Sequence, residues 1–72
     1  MVSIFVGNVI TGEVHRAEVI DDDEVISNTI EGFWKDLGCA HVVWQIYTTE
    51  QSMDVREFQF NNYLAGFMDA VA

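Results

Sequence analysis

Proline is absent from this chain of 72 residues, and cysteine occurs once. The single Cys39 cannot form an internal disulfide, and with His15 and His41 it falls short of the roughly four ligands of a structural zinc site. No linker is visible, which predicts one small domain over residues 1–72. So short a chain buries only about 60% of its unfolded surface. Self-association is therefore its most available further support.

Basic residues are also scarce. Twelve acidic residues stand against three basic ones (Arg16, Lys35 and Arg56), for a formal net charge of −9. Direct binding to nucleic-acid phosphates or to anionic membranes is disfavoured, because both need a basic surface. A basic protein partner is favoured, since opposite charges steer the encounter. Colloidal stability of an apolar little protein is the alternative explanation of the charge.

Long apolar runs are missing as well. No stretch approaches the about 20 apolar residues of a membrane-spanning helix. The apolar start of the chain has no basic region before it, so we expect no signal peptide. One unpaired cysteine is typical of a reducing compartment. We therefore expect a cytoplasmic protein, in the host cytoplasm if the chain is viral.

Three runs rich in β-branched and aromatic residues predict strands, over residues 2–10, 13–20 and 39–48. Between the second and third runs, apolar residues recur at the spacing of one helix face, and Gly38 follows as a C-terminal cap. This pattern predicts an amphipathic helix. Its apolar stripe consists of Ile26, Ile30, Phe33 and Leu37.

Residues 53–60 fit two patterns. As a strand they alternate aromatic or β-branched residues with polar ones, and as part of one long final helix they share a stripe with Leu64. The alternation favours the strand and the order β-β-α-β-β-α, with β-β-α-β-α as the alternative. A short match between residues 30–38 and 64–72 suggests a duplication. The expectation is an α+β domain with both helices packed on one face of an antiparallel sheet, which leaves the other face free.

Four consecutive acids precede the first helix. Asp21 and Glu24 have the spacing of a capping box. Acids in the first turn also stabilise a helix, because they lie at the positive end of its dipole. Consecutive side chains point in different directions, and the alternating oxygens and the glycine of a calcium loop are missing. We therefore expect a helix cap and no metal site. An exposed acidic patch of this kind can still meet a partner.

Catalytic groups are hard to find in the sequence. Cys39 and His41 would share one face of a strand, but a nucleophilic thiol also needs a residue that orients its base and an oxyanion hole. Nothing marks either, and no glycine loop has the spacing of a phosphate-binding motif. We expect no enzymatic activity and no cofactor.

The residues expected to bind a partner lie mainly on the first helix. They combine carboxylates with aromatic side chains, because Trp and Tyr are frequent interface anchors. In the strongest form of this hypothesis the protein is a nucleic-acid mimic, whose carboxylates stand where phosphates would. The candidates are Asp21, Asp22, Asp23, Glu24, Glu31, Trp34, Asp36 and Tyr47.

In size, charge and lack of catalytic residues the chain resembles small phage-encoded inhibitors of host defence or transcription, such as anti-CRISPR proteins. No motif in it identifies a family. The resemblance implies an inhibitor that occupies a basic, nucleic-acid-binding surface of another protein. The alternative is a self-assembling structural or regulatory subunit, in which apolar surface forms a symmetric homodimer and the charge only keeps it in solution.

Overall fold

Three antiparallel strands and two helices make up the described part of the chain, in the α+β class expected from the sequence. A computed structural model describes residues 1–38, 40–47 and 52–71, with residues 45–47 described by their backbone. The order is β-β-α-β-α, the shorter of the two expected orders. The elements are β1 (Val2–Asn8), β2 (Val14–Val19), α1 (Asp23–Leu37), β3 (His41–Tyr47) and α2 (Met53–Val71).

β1 is the central strand and pairs antiparallel with both neighbours, in the order β2-β1-β3. At one end of the sheet Val2 lies between Val19 and Tyr47. At the other end Gly7 lies between Val14 and Val42. β2 and β3 are therefore the two edges of the sheet.

One face of the sheet is covered by α1. Alternate residues of a strand point to opposite faces, so every second residue of β1 meets this helix. The apolar stripe predicted from the sequence packs against this face of the sheet. Ile30 and Phe33 are partly buried at the edge of the contact. Gly38 caps the end of α1. It adopts a positive φ of 81° and donates its N–H to the carbonyl oxygen of Trp34. The buried cluster on this face is aliphatic: Val2, Ile4, Val6, Ile26 and Leu37.

The opposite face is covered by α2 and is aromatic. Phe5 stacks on Phe60, with ring centroids 5.5 Å apart, and Leu64 completes the buried cluster. Gly7 allows α2 to approach closely, because a methyl group at this position would lie 2.7 Å from Leu64 Cδ2. Both helices thus pack on the same central strand, which is buried on both sides.

Two finer expectations were wrong. Residues 53–60 form the first part of α2 and not a strand, because Met53 and Phe60 pack inward at helical spacing while Phe58 is 66% exposed. The helices also lie on opposite faces of the sheet, so neither face is left free for a partner. The cause is β1, which carries apolar side chains on both of its faces and must bury both.

Candidate functional site

The acid run lies at the junction between β2 and α1. Asp22 caps the helix, since its Oδ1 accepts hydrogen bonds from the backbone N–H groups of Glu24 at 2.9 Å and Val25 at 3.2 Å. Asp23 and Glu24 occupy the first turn, where the positive end of the helix dipole favours carboxylates. The expected cap is confirmed, but the capping residue is Asp22 and not Asp21. All four acids of the run are exposed.

Trp34 is the aromatic residue on the outer side of α1. Its side chain is 46% exposed, and its ring packs against His41 of β3 with centroids 4.7 Å apart. His41 Nδ1 donates to the carbonyl oxygen of Gly38 at 2.9 Å, which fixes the imidazole beside the end of α1. Glu31 and Trp34 both line two shallow depressions, one of which continues over Lys35. An exposed indole is therefore held in place and is bordered by charged side chains.

The two arginines are engaged between the sheet and α2. Arg16 of β2 lies 3.1 Å from Asp54 Oδ1 and 3.6 Å from Glu57 Oε2. Arg56 is buried on α2, donates to Ser3 Oγ and lies 4.0 Å from Glu18 Oε2. Positive charge is thus used to attach α2 to β1 and β2.

Negative charge on α1 is not neutralised in the same way. Within residues 1–38, 40–47 and 52–71, none of the ion pairs includes Lys35 or a carboxylate of α1 and the run before it. These carboxylates are all exposed to solvent, and Asp22 among them also caps the helix. They are Asp21, Asp22, Asp23, Glu24, Glu31 and Asp36.

Tyr47 is the last residue of β3. Its backbone lies across β1 from Val19, which ends β2 two residues before Asp21. The backbone of Tyr47 therefore lies at the same end of the sheet as the acid run. The structure thus places Glu31 next to Trp34, roughly two to three helical turns from the acid run at the start of α1.

Sequence reasoning missed a series of aromatic contacts that runs from the core to the surface beside β3. Trp44 of β3 lies 5.9 Å from Phe60 and 5.7 Å from Tyr63, and Tyr63 lies 5.0 Å from Phe67, measured between ring centroids. Tyr63 and Phe67 are 47% and 39% exposed. The signal was the helical spacing of residues 60, 63 and 67, which becomes visible once α2 is taken as one helix.

No group of three or more His, Cys, Asp or Glu side chains in the described part of the chain could hold a metal ion. Cys39 lies outside the described residues, so its pairing with His41 has no test here. Over the same residues, no helix combines the length and the apolar character needed to cross a membrane.

No protein-family model, no curated protein and no solved structure matches this chain. Its function is therefore argued from the geometry and charge of its own residues.

Proposed function

We propose that this protein is a non-enzymatic acidic binding module that presents α1 to a basic surface of another protein. The observation that carries the proposal is the separation of its charges. The acids of α1 are exposed and make no ion pair within the described residues, whereas Arg16 and Arg56 are engaged with α2 and the sheet. The exposed acids of α1 and of the run before it outnumber the one base there, Lys35, so this side of the molecule attracts a basic partner and raises the rate of encounter.

Trp34 supplies the apolar part of the proposed contact. Interface hot spots are typically Trp, Tyr or Arg side chains surrounded by contacts that exclude water. Trp34 is exposed, its ring is fixed by His41, and Glu31 and Lys35 border it. Tyr47, at the end of the sheet near the acid run, is a second proposed contact.

The proposed target surface is one that binds nucleic acid. The carboxylates from Asp23 to Asp36 extend over roughly 20 Å of helix at 1.5 Å per residue. This length corresponds to about six base pairs of duplex at 3.4 Å per step. A basic surface built for phosphates would meet the carboxylates that share one side of this helix, among them Glu24 and Glu31. We propose an inhibitor that occupies such a surface in the cytoplasm, as phage inhibitors of host defence do.

The test is capture of partners from nuclease-treated lysate of the native host, with tagged protein and two matched double variants. Asp21→Asn/Glu31→Gln removes two charges from the α1 surface, and Glu13→Gln/Asp69→Asn removes two exposed charges elsewhere. Both keep Asp22, so the helix cap is intact. We expect one basic protein to be retained at low salt, lost at high salt, lost by the α1 variant and kept by the other.

A second step distinguishes mimicry from simple charge attraction. The captured protein is immobilised, loaded with its own nucleic-acid ligand and titrated with the acidic chain. Displacement of the nucleic acid supports the inhibitor proposal. Retention of both ligands on the same protein, or equal loss of binding by the two double variants, would contradict it.

A further inference from the structure

The outer side of β3 is an open strand edge. β3 pairs with β1 on one side, and no other strand pairs with it among the described residues. A free edge of this kind is a template for another strand. Its backbone donors and acceptors reach outward at every second residue.

The direction of two hydrogen bonds shows which residues face outward. Asn8 N–H donates to Glu13 on the β2 side, and Val9 N–H donates to Ala40 on the β3 side, both at 2.9 Å. Because backbone groups alternate along an antiparallel strand, odd residues of β1 bond to β3. The register then joins Phe5 to Trp44, so even residues of β3 bond inward. The outward residues are His41, Val43, Gln45 and Tyr47.

The residue content of β3 does nothing to block this edge. Natural edge strands are protected by charged side chains, by proline or by bulges. β2 follows the rule, with Arg16 and Glu18 at outward positions. β3 has the sequence HVVWQIY, with no Asp, Glu, Lys, Arg or Pro. Its pairing to β1 is continuous over seven residues, so no bulge interrupts it.

Exposed aromatic side chains flank the open edge on both faces of the sheet. Trp34 packs on His41 at the α1 face, and Tyr63 with Phe67 continues from Trp44 at the α2 face. The depression beside Trp34 is lined by one acid and one base, Glu31 and Lys35, whose formal charges cancel. Among the described residues, the surface beside His41 and Trp44 is therefore largely apolar and close to neutral, unlike the acid run.

We propose that β3 pairs antiparallel with β3 of a second copy of this chain, which joins two three-stranded sheets into one sheet of six strands. A two-fold axis at Trp44 places His41 opposite Tyr47 of the second copy, and Val43 opposite its Gln45. All four outward residues then form hydrogen-bonded pairs, about eight backbone bonds in total. Trp44 meets its own copy at a non-hydrogen-bonded position, where side chains approach most closely.

Charge favours a second copy as the occupant of this edge. β3 itself carries no charged residue, and Glu31 beside it is balanced by Lys35, so an identical chain is not repelled at this edge. The acid run follows β2, and the two β2 strands would lie roughly 24 Å apart, five strand spacings of about 4.8 Å. That distance is well beyond the Debye length of about 8 Å at physiological salt. The dimer leaves both acid runs outward. It uses Trp34 and Tyr47, which the proposed function also uses, so the second copy and the basic partner would exclude each other at these two residues.

The test is the mass of the purified protein by sedimentation equilibrium over a range of concentrations, at 150 and 500 mM salt. The expected mass is twice the 8.2 kDa of the chain. Gln45→Pro removes an outward N–H and no bond to β1, so it should lower the mass to that of the monomer. The matched control Val14→Pro removes an outward N–H from the β2 edge and no ion pair, and it should remain a dimer.

Trp34→Ser serves as a second variant if Gln45→Pro fails to fold, because Trp34 lies outside the strand. It should raise the dimer dissociation constant by about tenfold or more, as expected for an aromatic anchor. A wild-type protein that stays monomeric at high concentration would overturn the proposal. Dimers that survive both Gln45→Pro and Trp34→Ser would also overturn it, as would assemblies of more than two copies. So would a chain that stays monomeric alone and pairs only with a strand of a different protein.

Discussion

The two edges of the sheet are opposite in character. The β2 edge carries Arg16 and Glu18 at its outward positions, and Arg16 reaches Asp54 and Glu57 on α2. The β3 edge carries no charged residue, and its neighbours on both faces are exposed aromatic side chains. One edge is closed to other strands by charge, and the other is open to them.

The basic residues of the molecule follow the same difference between the two edges. Two of the three bases, Arg16 and Arg56, lie between the β2 side of the sheet and α2. Neither arginine makes an ion pair with an acid of α1 among the described residues. The molecule thus has three regions: an ion-paired edge that holds α2, an acidic helix that we propose meets a basic partner, and an uncharged edge that we propose pairs with a second copy.

Arg56→Met is expected to have the largest effect on the closed edge. Arg56 is buried and is hydrogen-bonded to Ser3, so its loss leaves a buried hydroxyl without this donor and Glu18 without a nearby charge. We expect the free energy of unfolding to fall by about 3 kcal/mol. Urea denaturation measures it. An unchanged midpoint would show that Arg56 does not hold α2 to the sheet.

Gly7→Ala tests the close contact between β1 and α2. The added methyl group would meet Leu64 and Phe60, which are both buried and cannot move aside freely. Overpacking should cost about 2 kcal/mol in thermal or chemical unfolding. Gly66→Ala on the exposed side of α2 is the control, because nothing lies near its added methyl group. It should stabilise the helix by up to about 1 kcal/mol. Equal effects at the two positions would contradict the packing described.

Asp22→Ala tests the junction between the closed edge and α1. It removes the acceptor for the N–H groups of Glu24 and Val25, and should cost about 1 kcal/mol of stability. Asp21→Ala removes the same charge and no capping bond, so it should change the stability far less. A larger loss of stability for Asp21→Ala than for Asp22→Ala in chemical denaturation would show that Asp21 caps the helix.

Arg16→Met should have the smallest effect. Arg16 and Asp54 are both substantially exposed, and exposed ion pairs contribute about 0.5 kcal/mol. The loss should shrink further in 1 M salt, because ions screen exposed charges. Urea denaturation at two salt concentrations gives the comparison with Arg56→Met. A cost as large as that of Arg56→Met would show that the surface pairs attach α2 as strongly as the buried arginine does.

Much of the fold could be predicted because the strongest patterns were local. β1, β2, α1 and β3 each occupy the expected stretch within one to three residues. α2 could not be found in full, because its inward stripe contains Arg56, a buried charge that breaks the apolar repeat. Phe58 strengthened the strand pattern, yet it lies on the solvent side of the helix. Burial of β1 on both of its faces could have been predicted, since this strand has apolar residues at both even and odd positions.

The candidate site was predicted in part. The exposed acids and Trp34 follow from the helical stripe, because residues off the apolar face of α1 must face solvent. The contact of Trp34 with His41 and the open edge of β3 could not be predicted, since they depend on strand order. The lack of charge in HVVWQIY was the available signal, and it has meaning only once β3 is known to be an edge.

Residue-resolved amide hydrogen exchange tests the contrast between the two edges most directly. It compares the outward amides of Val43 and Gln45 on β3 with those of Arg16 and Glu18 on β2, in the unmodified protein. The account predicts slow exchange at Val43 and Gln45 that slows further as protein concentration rises, and fast exchange at Arg16 and Glu18 at every concentration. Equally fast exchange at both edges, independent of concentration, would contradict it.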